Sequence, residues 1–267
     1  MPLGIPLASP DGLLAEVAQQ DWIVRRWREY PAVLVVQFPG LLAQGQALNR
    51  IAALLEKGRG SREQVLDDAQ MQALLVLSGD SAASFFLGHD YASEGLARFY
   101  SLAQAQGVAL NADEQRLLDL LLRADLIARR PGGADGYVSA GVGALVSFSA
   151  PQPDDPGTMV DESMDTARRA SILRHELSHG RFFTDEVYRE HCLHFWHQAL
   201  TESERRLWRR YLDGLGYDPG NEELMANETQ ALLMHTPDTR DFNAAGMGMT
   251  EQGLAALRAR FRQGLGA

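Results

Sequence analysis

The chain has 267 residues, 45% hydrophobic and 22% charged, a balance that fits a globular protein and excludes a disordered or fibrous one. Thirty-five acidic against 25 basic residues give a net charge of −10 and a pI near 5.2. Nucleic acid and anionic membranes, which are bound through clustered cations, are therefore not expected partners. No apolar run reaches the roughly 18–20 residues of a membrane span, and Cys192, the single cysteine, has no mate for an internal disulfide. The start, Met1-Pro-Leu-Gly-Ile-Pro-Leu-Ala8, lacks the basic n-region of a signal peptide. The expectation is a cytoplasmic chain, or an exported one whose leader has been removed.

In chain order, a helix is expected over about 10–29, with Leu13, Leu14, Val17, Trp22 and Val24 at its apolar positions. Ala32-Val-Leu-Val-Val-Gln-Phe38, β-branched and bounded by Pro31 and Pro39, reads as a strand. Residues 41–127 carry a helical pattern broken at Gly58-Arg-Gly60, Ser78-Gly-Asp-Ser81 and Gly107. Asn111-Ala-Asp-Glu114 forms a capping box ahead of Leu117, Leu118, Leu120 and Leu121, and His89 falls in an expected turn. After the turn cluster Arg129–Gly136, Tyr137–Ala140 and Ala144–Ser149 read as two short strands of a hairpin. Beyond the loop Pro151–Gly157 the chain is helical again, with breaks near Gly180, Gly214-Leu-Gly216 and Pro237. The whole is a mainly helical α+β protein. It divides into an N-terminal helical lobe at 1–131, of unassigned role, and a histidine-rich region at 132–267, unless the two form one continuous domain.

Six of the seven histidines lie between positions 175 and 235. Among them stands His175-Glu176-Leu177-Ser178-His179, in which positions i and i+4 of a helix aim two imidazoles at one point. Zinc at about 2.0–2.1 Å from each nitrogen fits that point. Glu176 follows the first ligand directly, which sets its carboxylate beside a water on the metal as general base. Asp161, Glu162 and Asp165 suit the N-terminus of this helix, and Gly180 is placed to cap its end. A third protein ligand has to come from downstream, where Glu222, Glu223 and Glu228 compete on the helix opened by Asn221. At roughly 100° per residue, Glu228 shares a face with Leu224, Met225, Ala231, Leu232 and His235, whereas Glu223 points among Asn227, Gln230 and Met234. A carboxylate on an apolar face is costly unless paired, and a metal pairs with it well. Glu228 is thus preferred, with Glu223 as the alternative.

The motif His175-Glu-Leu-Ser-His179 resembles the zincin metallopeptidases, and Asn227-Glu228-x-x-Ala231 resembles the downstream helix of their gluzincin branch. That resemblance implies a zinc-binding active-site helix packed against a small β-sheet, a peptide or protein substrate, and a ligand set of His175, His179 and Glu228. Ala144–Ser149, just ahead of the metal helix, is then the strand expected to bind an extended substrate by edge pairing. Tyr188, Tyr211 and Tyr217 are candidates for stabilising an oxyanion, and His235 for orienting Glu228. His191, His194 and His197 at i, i+3, i+6 are read as structural, and Cys192 as a buried thiol. The rival readings are a catalytically inactive metal-binding interaction module and a helical scaffold with an accidental motif.

Overall fold

The computed structural model describes residues 4–57, 62–158 and 160–264, and its architecture is mainly helical α+β. At its centre lies a five-stranded mixed sheet made of β1 (Leu7–Ala8), β2 (Ile23–Trp27), β3 (Val33–Phe38), β4 (His89–Ala92) and β7 (Ala144–Ser149), in the order β1-β2-β3-β7-β4. A separate ribbon pairs β5 (Ile127–Arg129) with β6 (Tyr137–Ser139). A strand covered on both faces reads as a near-continuous apolar run. In β3, Leu34, Val36 and Phe38 face one core while Val33 and Val35 face another. The first core is closed by α2 (Leu41–Leu55), α3 (Asp68–Ser78), α4 (Ser93–Gln106) and α5 (Ala112–Arg123), the second by α6 (Thr166–Thr184). Four more helices, α7 (Glu186–His194), α8 (Glu202–Gly214), α9 (Glu222–His235) and α10 (Glu251–Gln263), gather around Trp196 and Trp208 in a third core.

The strand over 33–38, the Asn111 capping box and the breaks after Ser78 and before Val108 appear as the sequence predicts. Three expectations fail for tertiary reasons. The helix expected over 10–29 stops after one short piece, α1 (Pro10–Ala15). The buried Gln37 amide donates to the carbonyls of Leu13 and Glu16 at 3.3 and 3.0 Å, and Ile23–Trp27 pairs with β3 instead. The segments 137–140 and 144–149 do not form a hairpin: β6 pairs with β5, and β7 runs parallel to β3 and antiparallel to β4. His89 starts a strand rather than sitting in a turn. Because β3 and β7 pair from Val33 and Ala144 through Phe38 and Ser149, the stretches on either side of residue 132 build one sheet. The expected break at Gly58-Arg-Gly60 lies outside the described residues. Among the described residues no helix is long and apolar enough to cross a membrane.

Candidate metal centre

α6 carries the histidine pair across the second face of the sheet, and Asp165 caps it by accepting from the Arg168 amide. Gly180 does not end this helix, contrary to its reading as a cap; α6 runs on to Thr184. Its missing side chain serves close approach instead. A Cβ there would lie 2.8 Å from Val33 Cγ1 and 3.3 Å from Val146 Cγ1, so only glycine lets α6 settle onto β3 and β7 at this depth. α9 packs along the other side of α6, with Ala231 fully buried.

This packing brings three predicted residues together. His175 and His179 turn their Nε2 atoms toward each other at 3.0 Å. Glu228 reaches both, with Oε2 3.7 Å from His175 Nε2 and Oε1 3.7 Å from His179 Nε2. The three residues offer donor atoms within 4.8 Å of one another. A tetrahedral ion with bonds of 2.0–2.1 Å separates its ligands by roughly 3.3–3.4 Å, so each of these contacts is within a few tenths of an ångström of what such an ion takes. Thr236 sets the state of one ring. Its hydroxyl donates to the Ala231 carbonyl at 3.1 Å, so its oxygen accepts the Nδ1–H of His175 at 2.8 Å and leaves the Nε2 lone pair for a cation. Glu223 is left out of the site, half-exposed and paired with Arg189 at 2.8 Å. Glu222 accepts from Trp196 and Arg209 at 2.7 and 2.6 Å.

The electrostatics match a place for positive charge. Glu176 is buried, its Oε2 has no hydrogen-bond partner among the described residues, and a Cβ on Gly88 would collide with its carboxylate. Burial, and then the nearby Asp90, Glu228 and Glu56 carboxylates, push Glu176 well above the usual range. Burial also lifts Glu228 to about 7 against the pull of His179. Burial and the neighbouring imidazoles of His179 and His235 keep His175 neutral. For His179 burial opposes the charged ring, but Asp90, Glu228 and Asn227 outweigh it and raise its pKa. Buried carboxylates crowded in this way call for a cation to compensate them. A cleft of about 670 Å³ opens onto His175 and Glu176, walled by Leu74, Phe85, Phe86 and Leu232.

Several members of this neighbourhood escape the sequence reading. Asp90 Oδ2 lies 3.5 Å from His179 Nε2, and Glu56 is buried at the end of α2. Only the alternation of burial along β4, once that strand is recognised, separates Asp90 from its neighbours; nothing in the local pattern marks Glu56 or Thr236. Of the three tyrosines, Tyr217 lies against Glu228 and lines the cleft. Tyr188 bonds Gln230 and His235 at 2.7 and 3.0 Å, and Tyr211 packs edge-to-face against Trp208 and Phe242. His235 is therefore engaged by Tyr188 rather than by Glu228. Cys192 is a buried core thiol, and His191 packs on the Phe261 ring. The strand β7 is interior to the sheet and offers no edge; the edge beside the site is β4.

Fold and site together define a mainly helical α+β chain with a buried His-His-Glu group spaced to hold a metal ion at the wall of a cleft. No family model, curated protein or solved structure matches this chain.

Proposed function

We propose that the chain is a zinc-dependent metallohydrolase, a metallopeptidase in which His175, His179 and Glu228 hold the metal and Glu176 is the general base. The observation that carries this reading is the meeting of those three donor sets within 4.8 Å, next to a buried carboxylate with an unpartnered oxygen. Bound there, zinc supplies Lewis acidity and brings the acidity of water near neutral pH. Glu176 takes the proton of the attacking water on Oε2, the oxygen without a partner, and returns it to the leaving amine nitrogen. Gly88 presses on the same carboxylate and limits where it points. Thr236 holds the His175 ring through Nδ1, and Tyr217 steadies Glu228. The β4 edge offers backbone donors and acceptors to an extended peptide, which favours a peptide or protein substrate over a compact amide.

The test joins elemental analysis of the purified chain with a peptide-library digest at neutral pH. One zinc per chain and cleavage that Glu176→Gln abolishes, with zinc retained, are the expected results. A fully active Glu176→Gln protein overturns the base assignment. Zinc without any cleavage favours the alternative, a catalytically inactive metal-binding module.

A further inference from the structure

We infer that Asp90 is a fourth protein ligand of this metal centre, contributed by the edge strand β4 from the His179 side. The inference rests on the metal reading of the site and extends it to a residue that the His-Glu-x-x-His pattern does not contain.

Register aims the side chain. Asp90 pairs with Val146 across the antiparallel β4–β7 ladder, while His89 and Tyr91 pair with Ser147 and Leu145. Directly opposed residues share a face of the sheet. Val146 belongs to the face on which α6 packs, and Leu145 and Tyr91 to the opposite core. Asp90 is thus directed at the metal helix while both its neighbours point away.

The nitrogen it approaches is informative. A carboxylate that merely orients a metal-binding imidazole sits on the ring nitrogen facing away from the ion, the position Thr236 takes at His175 Nδ1. Asp90 Oδ2 instead lies 3.5 Å from His179 Nε2, the same atom that faces His175 at 3.0 Å and Glu228 at 3.7 Å. The Asp90 carboxylate is only 11% exposed, and among the described residues it forms no ion pair with arginine or lysine. Glu228 comes from α9 with Oε1 toward His179 Nε2 and Oε2, which has no hydrogen-bond partner among the described residues, toward His175 Nε2. With Glu228 and Asp90 both bound, two carboxylates neutralise one divalent ion, and Glu176 remains free for proton transfer. The four side chains would then hold the ion with the catalytic water as a fifth donor.

The test is cobalt(II) titration of the metal-free full-length chain, read by visible absorption and by competition with a chromophoric chelator. Wild type, Asp90→Asn, Asp90→His and His179→Ala are compared, each with its metal-free melting temperature. Asp90→Asn keeps the shape of the side chain and is expected to melt no lower than the wild type. It is expected to bind cobalt ten- to a hundredfold more weakly and with altered absorption intensity. Asp90→His, which keeps a donor, is expected to bind more tightly than Asp90→Asn. Wild-type affinity and spectrum in both Asp90 variants, with binding lost in His179→Ala, overturn the role of Asp90 and leave the proposed function standing. Wild-type chain that takes up no cobalt overturns the proposed function and this inference together.

Discussion

Replacing Glu228 with glutamine in the metal-free chain deletes a buried charge while keeping the shape of the side chain, and the expected result is a more stable fold at alkaline pH. Burial lifts this carboxyl from its ordinary 4.5 to about 7, with His179 opposing and Asp90 adding to the rise. Each pH unit of such a difference is about 1.4 kcal/mol, so the ionised group costs the fold on the order of 3 kcal/mol above pH 7. The sign follows from the direction. A pKa raised on folding gives stability that is complete below pH 4.5 and lost as pH rises through 7. Glu228→Gln should therefore gain up to about 3 kcal/mol over wild type at pH 8 in the presence of a chelator, and a small part of that near pH 4.5. Zinc reverses the ranking. At a thousandfold excess over Kd a ligand that binds only the folded chain adds about 4 kcal/mol, which wild type receives and Glu228→Gln largely forgoes. Glu223→Gln, exposed and paired with Arg189, should stay within about 0.5 kcal/mol of wild type with the zinc response intact. Urea unfolding followed by circular dichroism, at both pH values and with chelator or zinc, measures all of this. A Glu228→Gln protein that is less stable than wild type at pH 8 without metal, or equally stabilised by zinc, would refute the reasoning.

Gly88→Ala tests how the candidate base is held. Its Cβ would lie 2.2 Å from Glu176 Oε1 and 2.5 Å from Cδ, so the carboxylate must swing aside. Peptide hydrolysis is expected to fall by about a hundredfold while cobalt affinity stays within a few-fold, and unchanged kcat would show that Glu176 does not act from this position. His89 tests the acid limb. Burial, then Lys57, depress its pKa to about 3, so between pH 6.5 and 3 the unfolded chain takes up a proton that the folded chain refuses. Stability is lost as pH falls through that window, by up to about 1.4 kcal/mol per pH unit from this group. The denaturation midpoint of His89→Gln should fall less steeply with acid than that of wild type, and parallel slopes would remove His89 from the account.

Helical spacing placed His175 and His179 on one face, and helical phase favoured Glu228 over Glu223, because both are consequences of a fixed rotation per residue that the chain carries wherever it packs. The β-branched run at 33–38 announced a strand for a similar local reason, its side chains being stiff and its flanks proline. What decided the rest was pairing between distant segments. Ile23–Trp27 is a strand because β3 offers it a partner, β7 is interior because β4 covers it, and Gly180 is a contact point because two valines of the sheet lie beneath it. Asp90 and Thr236 reach the histidines, and Glu56 the neighbourhood of Glu176, only through such long-range packing. A residue's periodicity is fixed by its neighbours in the chain; which charges share one buried volume is fixed by how sheet and helices close upon each other, and that the tertiary structure alone determines.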